Sequence, residues 1–150
     1  VILLGEMRDY ETIEVSMTAA ETGHLLLSTL HTLGAANTID RIIDVFPASQ
    51  QHQIAIQLST TLHAVVSQQL VPTVDDHMVP AFEIMTVTPA IRNMIRENKI
   101  PQIEGLLYAS ARPDMVSMDN SLLSLYKAGR ITRDTALTYA TNPEMLGKKL

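Results

Sequence analysis

The chain has 150 residues, 46% of them hydrophobic, enough to bury a core as one domain or as a domain with a helical appendage. A net charge of −5 gives no electrostatic reason for a nucleic-acid partner, and the lack of cysteine removes disulfides, thiolate nucleophiles and cysteine metal sites. No apolar run approaches the roughly 18–20 residues of a membrane span, so no transmembrane segment and no signal peptide is expected.

Val1-Ile2-Leu3-Leu4 is an uninterrupted aliphatic run, suited to a strand buried on both faces. It ends at Gly5-Glu6, which puts a carboxylate where the strand leaves the sheet. Asp9 is placed to cap a helix from Tyr10 to about Glu21, with Ile13, Met17 and Ala20 as its core stripe and Gly23 closing it. His24-Leu25-Leu26-Leu27-Ser28-Thr29-Leu30 then reads as a second strand, followed by His31. Strand, helix, strand makes one βαβ unit, and it is expected to bring Glu6, His24 and His31 to one sheet edge. Ligands bind at the carboxyl edge of open parallel sheets. A carboxylate there can hold Mg²⁺ or position water, and imidazoles beside it can stabilise a terminal phosphate, which is phosphoryl-transfer chemistry. The alternative is a solvated loop acid with two packing or capping histidines.

Farther along, Asn37 is an expected cap for a helix over Thr38–Phe46, stopped by Pro47, and Ser49 opens another helix with a glutamine-rich polar face. His52 and His63 read as solvated or capping residues. Two β-rich runs, 64–71 and 79–85, flank the polar stretch 72–78 and predict an antiparallel hairpin. The cluster Asp75, Asp76, His77 at its tip reads as solvated rather than as a metal site. Thr88-Pro89 caps a helix in which Ile91, Met94 and Ile95 form the apolar side, leaving Arg92, Asn93, Arg96 and Lys99 as a basic exposed face. Helices follow over Ile100–Ala109, after Ser117, after Thr132 and after Asn142, with Met115, Met118 and the leucines as packing residues.

VILLGEMRD resembles the Walker B segment of the secretion ATPases that drive type II secretion and type IV pili. TGHLLLSTLHT resembles their histidine box, and the separations of 18 positions from Glu6 to His24 and 7 from His24 to His31 match the family. Residues 90–97, AIRNMIRE, are similar to the AIRNLIRE motif of the pilus-retraction (PilT-type, twitching-motility) branch, with Met94 in place of leucine. The chain departs from many relatives at Ala55 or Ile56, where an arginine is common, and at Asp76–Met78, where Gly-Arg is common.

The resemblance implies an α/β fold: part of a RecA-like P-loop NTPase sheet with the hairpin over residues 1–86, then a helical C-terminal subdomain over 87–150. It implies a cytoplasmic homohexameric ATPase, using ATP and Mg²⁺, that retracts type IV pili against an inner-membrane platform protein. Glu6 takes the Walker B role toward the Mg²⁺–water network. His24 and His31 contact or sense the γ-phosphate and the subunit boundary. Arg92, Asn93 and Arg96 form a surface for retraction rather than hydrolysis. A type II secretion or pilus-assembly ATPase is the alternative within the family, and a non-catalytic interaction module the alternative outside it. No GxxxxGK[ST] loop occurs in the 150 residues. The chain opens without Met inside a strand, so it is expected to be the C-terminal piece of a longer protein and inactive alone.

Overall fold

A computed structural model describes residues 1–150, which form two compact units that interleave along the chain. One comprises residues 1–32, 36–63 and 87–103; the other comprises 33–35, 64–86 and 104–150. Both α/β elements and helices contribute to each.

In the first unit, β1 (Ile2–Leu4) and β2 (Leu26–Ser28) pair in parallel, Ile2 opposite Leu26 and Leu4 opposite Ser28. The connection is α1 (Tyr10–Glu21), whose first turn is closed by the Asp9 carboxylate accepting from the Thr12 amide at 2.9 Å. Gly23, at φ 88°, supplies the left-handed turn out of the helix. Ile13 and Met17 are buried as expected. The expected burial of β1 on both faces is not found: Leu3 is 81% exposed, because β1 has a single hydrogen-bonded neighbour. The second strand is also shorter than the apolar run 24–30.

Next comes α2 (Ala35–Asp44), followed by α3 (Ala48–Thr61) after Pro47. The first of these begins two residues before the expected Asn37 cap. Gly34, at φ 89°, sets the turn there, and the Ala35 amide is capped by a distant carboxylate described below. Ile39, Ile42, Ile43 and Phe46 are buried, and the Phe46 ring meets Tyr10 edge-on at 4.9 Å. Later in the chain, α4 (Pro89–Arg96) is capped by Thr88 with Pro89 in its first turn and buries Ile91 and Ile95.

In the second unit, β3 (Ala64–Pro72) and β4 (Met78–Thr86) form the expected antiparallel hairpin, nine residues per strand. One face alternates into a core where Val71, Val79 and Ala81 pack with Met118, Leu122, Ile131, Ala136 and Leu146. The helical part comprises α5 (Gln102–Ala109), α6 (Met118–Lys127), α7 (Arg133–Thr138) and α8 (Pro143–Gly147). Ser117, Thr132 and Asn142 cap the last three with their side chains, as their positions in the sequence predict.

Candidate functional site

Backbone pairing continues past the two short parallel strands and fixes their carboxyl ends. The Met7 amide donates to Thr29 O at 3.0 Å, and the Thr29 hydroxyl donates to Gly5 O at 2.6 Å. Glu6 and His31 both leave from this reinforced end. Glu6 Oε1 lies 3.2 Å from His31 Nε2, and Glu6 Oε2 accepts from Arg8 Nε at 2.6 Å. The Glu6 side chain is 23% exposed and that of His31 89% exposed. The pair therefore presents a well-shielded acceptor beside an imidazole open to solvent. With its proton on Nε2, His31 donates to Glu6 and fixes the carboxylate's direction.

His24 does not join them. In a parallel pair, a residue before the second strand lies at the amino edge, and one after it at the carboxyl edge. His24 precedes Leu26, so the expectation of three residues at one edge is corrected to two. Its Nδ1 lies 3.2 Å from both Ala19 O and the Thr22 hydroxyl. It thus caps the carbonyl end of α1, where a partial negative charge favours an imidazole donor.

The basic helix is corrected in one residue. Arg92 is half-buried, and its Nη1 donates to Ser59 O at 2.7 Å and Thr60 O at 3.0 Å, closing the last turn of α3. Asn93 and Arg96 remain exposed. Lys99 pairs with Glu97 at 2.6 Å, which together with Arg96 holds the Glu97 carboxyl below its ordinary value.

At the hairpin tip, Thr73 accepts from the His77 amide at 3.0 Å and donates to Asp75. This turn is a local hydrogen-bonded loop, and no group of three His, Cys, Asp or Glu side chains in the structure is placed to hold a metal. A metal here could be held only with outside ligands. A nucleotide-borne Mg²⁺ would bring them, since it needs one or two carboxylates besides phosphates and water. Glu6 fits that requirement, because exposed Arg8 can swing off its Oε2. A cavity of about 320 Å³ lies under the strands, lined by Ile2, Leu4, Val15 and Leu26 among others, and holds neither Glu6 nor His31. Its lining marks a packing face, away from the Glu6–His31 pair.

Two buried acids escaped the sequence reading. Glu83 accepts from the Ala35 and Met118 amides, and Asp119 from the Thr141 and Asn142 amides at 2.7 and 3.0 Å. For Glu83 a signal existed: it stands at the parity of Val79, Ala81 and Met85, the core face of β4.

Comparison with known proteins places the chain in a family. The model of the type II/IV secretion system protein family matches residues 1–112. The chain is 50% identical over 147 residues to a twitching motility protein of Neisseria gonorrhoeae, covering 97% of this chain and 39% of that protein. It is 46% identical over 144 residues to the type IV pilus retraction ATPase PilT of Pseudomonas aeruginosa, covering 96% of this chain and 42% of that one. A crystal structure of the pilus retraction motor PilT with bound ADP superposes with a TM-score of 0.87 at 44% identity, over 98% of this chain and 41% of that one. The chain thus spans about two fifths of the length of these relatives and shares their RecA-like α/β fold over that part. It belongs to the type II/IV secretion system protein family.

Proposed function

We propose that this chain is the C-terminal part of a hexameric motor ATPase that retracts type IV pili. The observation that carries the proposal is the Glu6–His31 pair at the carboxyl edge of the parallel strands. Similarity to retraction proteins along nearly all of this chain supports it. The match to the type IV pilus assembly ATPase PilB of Pseudomonas aeruginosa is 36% identical and reaches only 56% of the chain, which favours retraction over assembly.

In this reading, Glu6 would help hold a nucleotide-borne Mg²⁺, which would supply charge neutralisation at the phosphates. The Glu6 carboxylate would accept a hydrogen bond from the attacking water and so orient it. His31 orients Glu6 and, being exposed, reaches the terminal phosphate. The phosphate cradle and its lysine lie elsewhere in the full-length protein, so residues 1–150 alone should hydrolyse no ATP. His24, exposed at the opposite edge, is assigned to the boundary with a neighbouring subunit. Residues 1–86 carry the chemistry and 87–150 the working surface, a division of labour that does not follow the compact units. Asn93 and Arg96 face the partner, an inner-membrane platform protein, while Arg92 supports their helix. The motor works in the cytoplasm, peripheral to the inner membrane; no helix of the chain is long and apolar enough to cross it.

The test is Glu6→Gln in the full-length protein. Hydrolysis should fall by orders of magnitude with nucleotide binding retained, since the amide keeps the shape and loses the charge. Turnover within about twofold of wild type, far less than the tenfold that ~1.4 kcal/mol represents, would remove Glu6 from the mechanism.

A further inference from the structure

The segment from Gly5 to Asp9 has a fixed backbone and one free side chain. The Gly5 carbonyl and the Met7 amide are both bonded to Thr29, at 2.6 and 3.0 Å. Asp9 is held at the other end, where its carboxylate accepts from the amide and the hydroxyl of Thr12 and opens α1. Between these anchors Arg8 reaches back two residues, not forward to the neighbouring acid, and donates from Nε to Glu6 Oε2 at 2.6 Å. All of these groups lie within residues 1–32, inside one compact unit.

The Arg8 side chain is 77% exposed and that of Glu6 23%, so the pair joins a free guanidinium to a shielded carboxylate. A contact this open is weakly held, and the guanidinium leaves it at little cost. The bond uses Nε alone. The Nη1 and Nη2 donors remain, and they form the flat fork that suits two oxygens of a phosphate. Glu6 meanwhile has a partner on each oxygen, His31 Nε2 at 3.2 Å and Arg8 Nε. While Arg8 stays, its charge offsets that of the carboxylate, which weakens Glu6 as an acceptor for water. A phosphate whose attacking water Glu6 orients must lie close to Glu6, and so within reach of Arg8. In ATP hydrolysis that is the terminal phosphate, and ADP has no phosphate there.

We propose that Arg8 reads the terminal phosphate: when ATP arrives, its guanidinium leaves Glu6 Oε2 for the phosphate oxygens, and the carboxylate is freed for water. Arg8 then favours ATP over ADP, and it keeps Glu6 occupied while no triphosphate is bound. The proposal rests on the reading of Glu6 as the hydrolytic carboxylate.

The test measures binding by the full-length protein, with the non-hydrolysable ATP analogue AMP-PNP and with ADP in calorimetric titrations. Arg8→Ala should weaken AMP-PNP about tenfold and ADP by less than about twofold. Arg8→Lys, which keeps the charge but not the fork, should weaken AMP-PNP about threefold. Equal weakening of both nucleotides, or none, overturns the phosphate contact. If Arg8→Ala does not fold, Arg8→Lys decides by the same comparison. The exchange is tested in a Glu6→Gln background, where no carboxylate competes for the guanidinium. There Arg8→Ala should weaken AMP-PNP about threefold more than it does in the wild-type protein. An equal or smaller effect overturns the exchange. These readouts are affinities, so normal turnover in Glu6→Gln would remove Glu6 from hydrolysis while the AMP-PNP and ADP comparison still decides Arg8.

Discussion

The two small sheets of this chain are held in different ways. The parallel pair has three residues per strand, none of them fully buried, and carries Glu6 and His31 at its end. The hairpin has nine per strand and buries one face in a packed core. Short strands suffice at the first because their ends are tied by specific bonds, Met7 to Thr29 and Thr29 to Gly5. Longer strands at the second are held by their buried face and by the ladder between them.

The largest effect should come from the hairpin's core. Leu122 is fully buried, and Leu122→Ala should cost about 2–5 kcal/mol in urea unfolding of this chain. Leu3→Ala, in the exposed parallel strand, should change stability by no more than about 0.5 kcal/mol. Equal losses at the two sites would erase the contrast between the sheets.

The two arginines of α4 sharpen it within one helix turn. Arg92→Ala removes two charge-assisted bonds to the end of α3 and should cost about 1–3 kcal/mol. Arg96→Ala should be neutral to within about 0.5 kcal/mol yet, combined with Asn93→Ala, abolish pilus retraction at unchanged ATP turnover. Proportional loss of turnover and retraction would move this helix into the catalytic machinery. A smaller change is expected at the cap of α6, where Ser117→Ala should cost about 1 kcal/mol by chemical denaturation.

The smallest effect is one of pH. Arg112 and Thr86 hold the Asp114 carboxyl at about 2, below its ordinary 3.8. The folded value is the lower one, so this contribution is complete above about 3.8 and is lost as pH falls through about 2. Asp114→Asn should flatten the acid limb of the stability profile between those values, and an unchanged limb would show that the contact is without weight.

Local rules made most of the fold legible. Asp9, Thr88, Ser117, Thr132 and Asn142 marked helix starts because each cap acts within three residues of chain. Alternation from Ala64 to Thr86 marked the hairpin for the same reason. Ala35 was missed because its cap comes from Glu83, a long-range contact that no local pattern encodes. The Glu6–His31 partnership was legible from strand order, since both follow parallel strands. His24 was misplaced by proximity to the same strand, although its position before Leu26 already put it at the other edge. Arg92 was read as solvated because helical spacing shows which residues share a stripe, not what a long side chain reaches.

The central claim is that Glu6 and His31 act as one unit on the nucleotide. Single-turnover hydrolysis of bound ATP by the full-length protein, measured for Glu6→Gln, His31→Ala and the two combined, tests it directly. The account predicts that each single substitution slows the step strongly and that the pair together is little slower than Glu6→Gln alone. Fully multiplicative losses, or wild-type rates in His31→Ala, would contradict it.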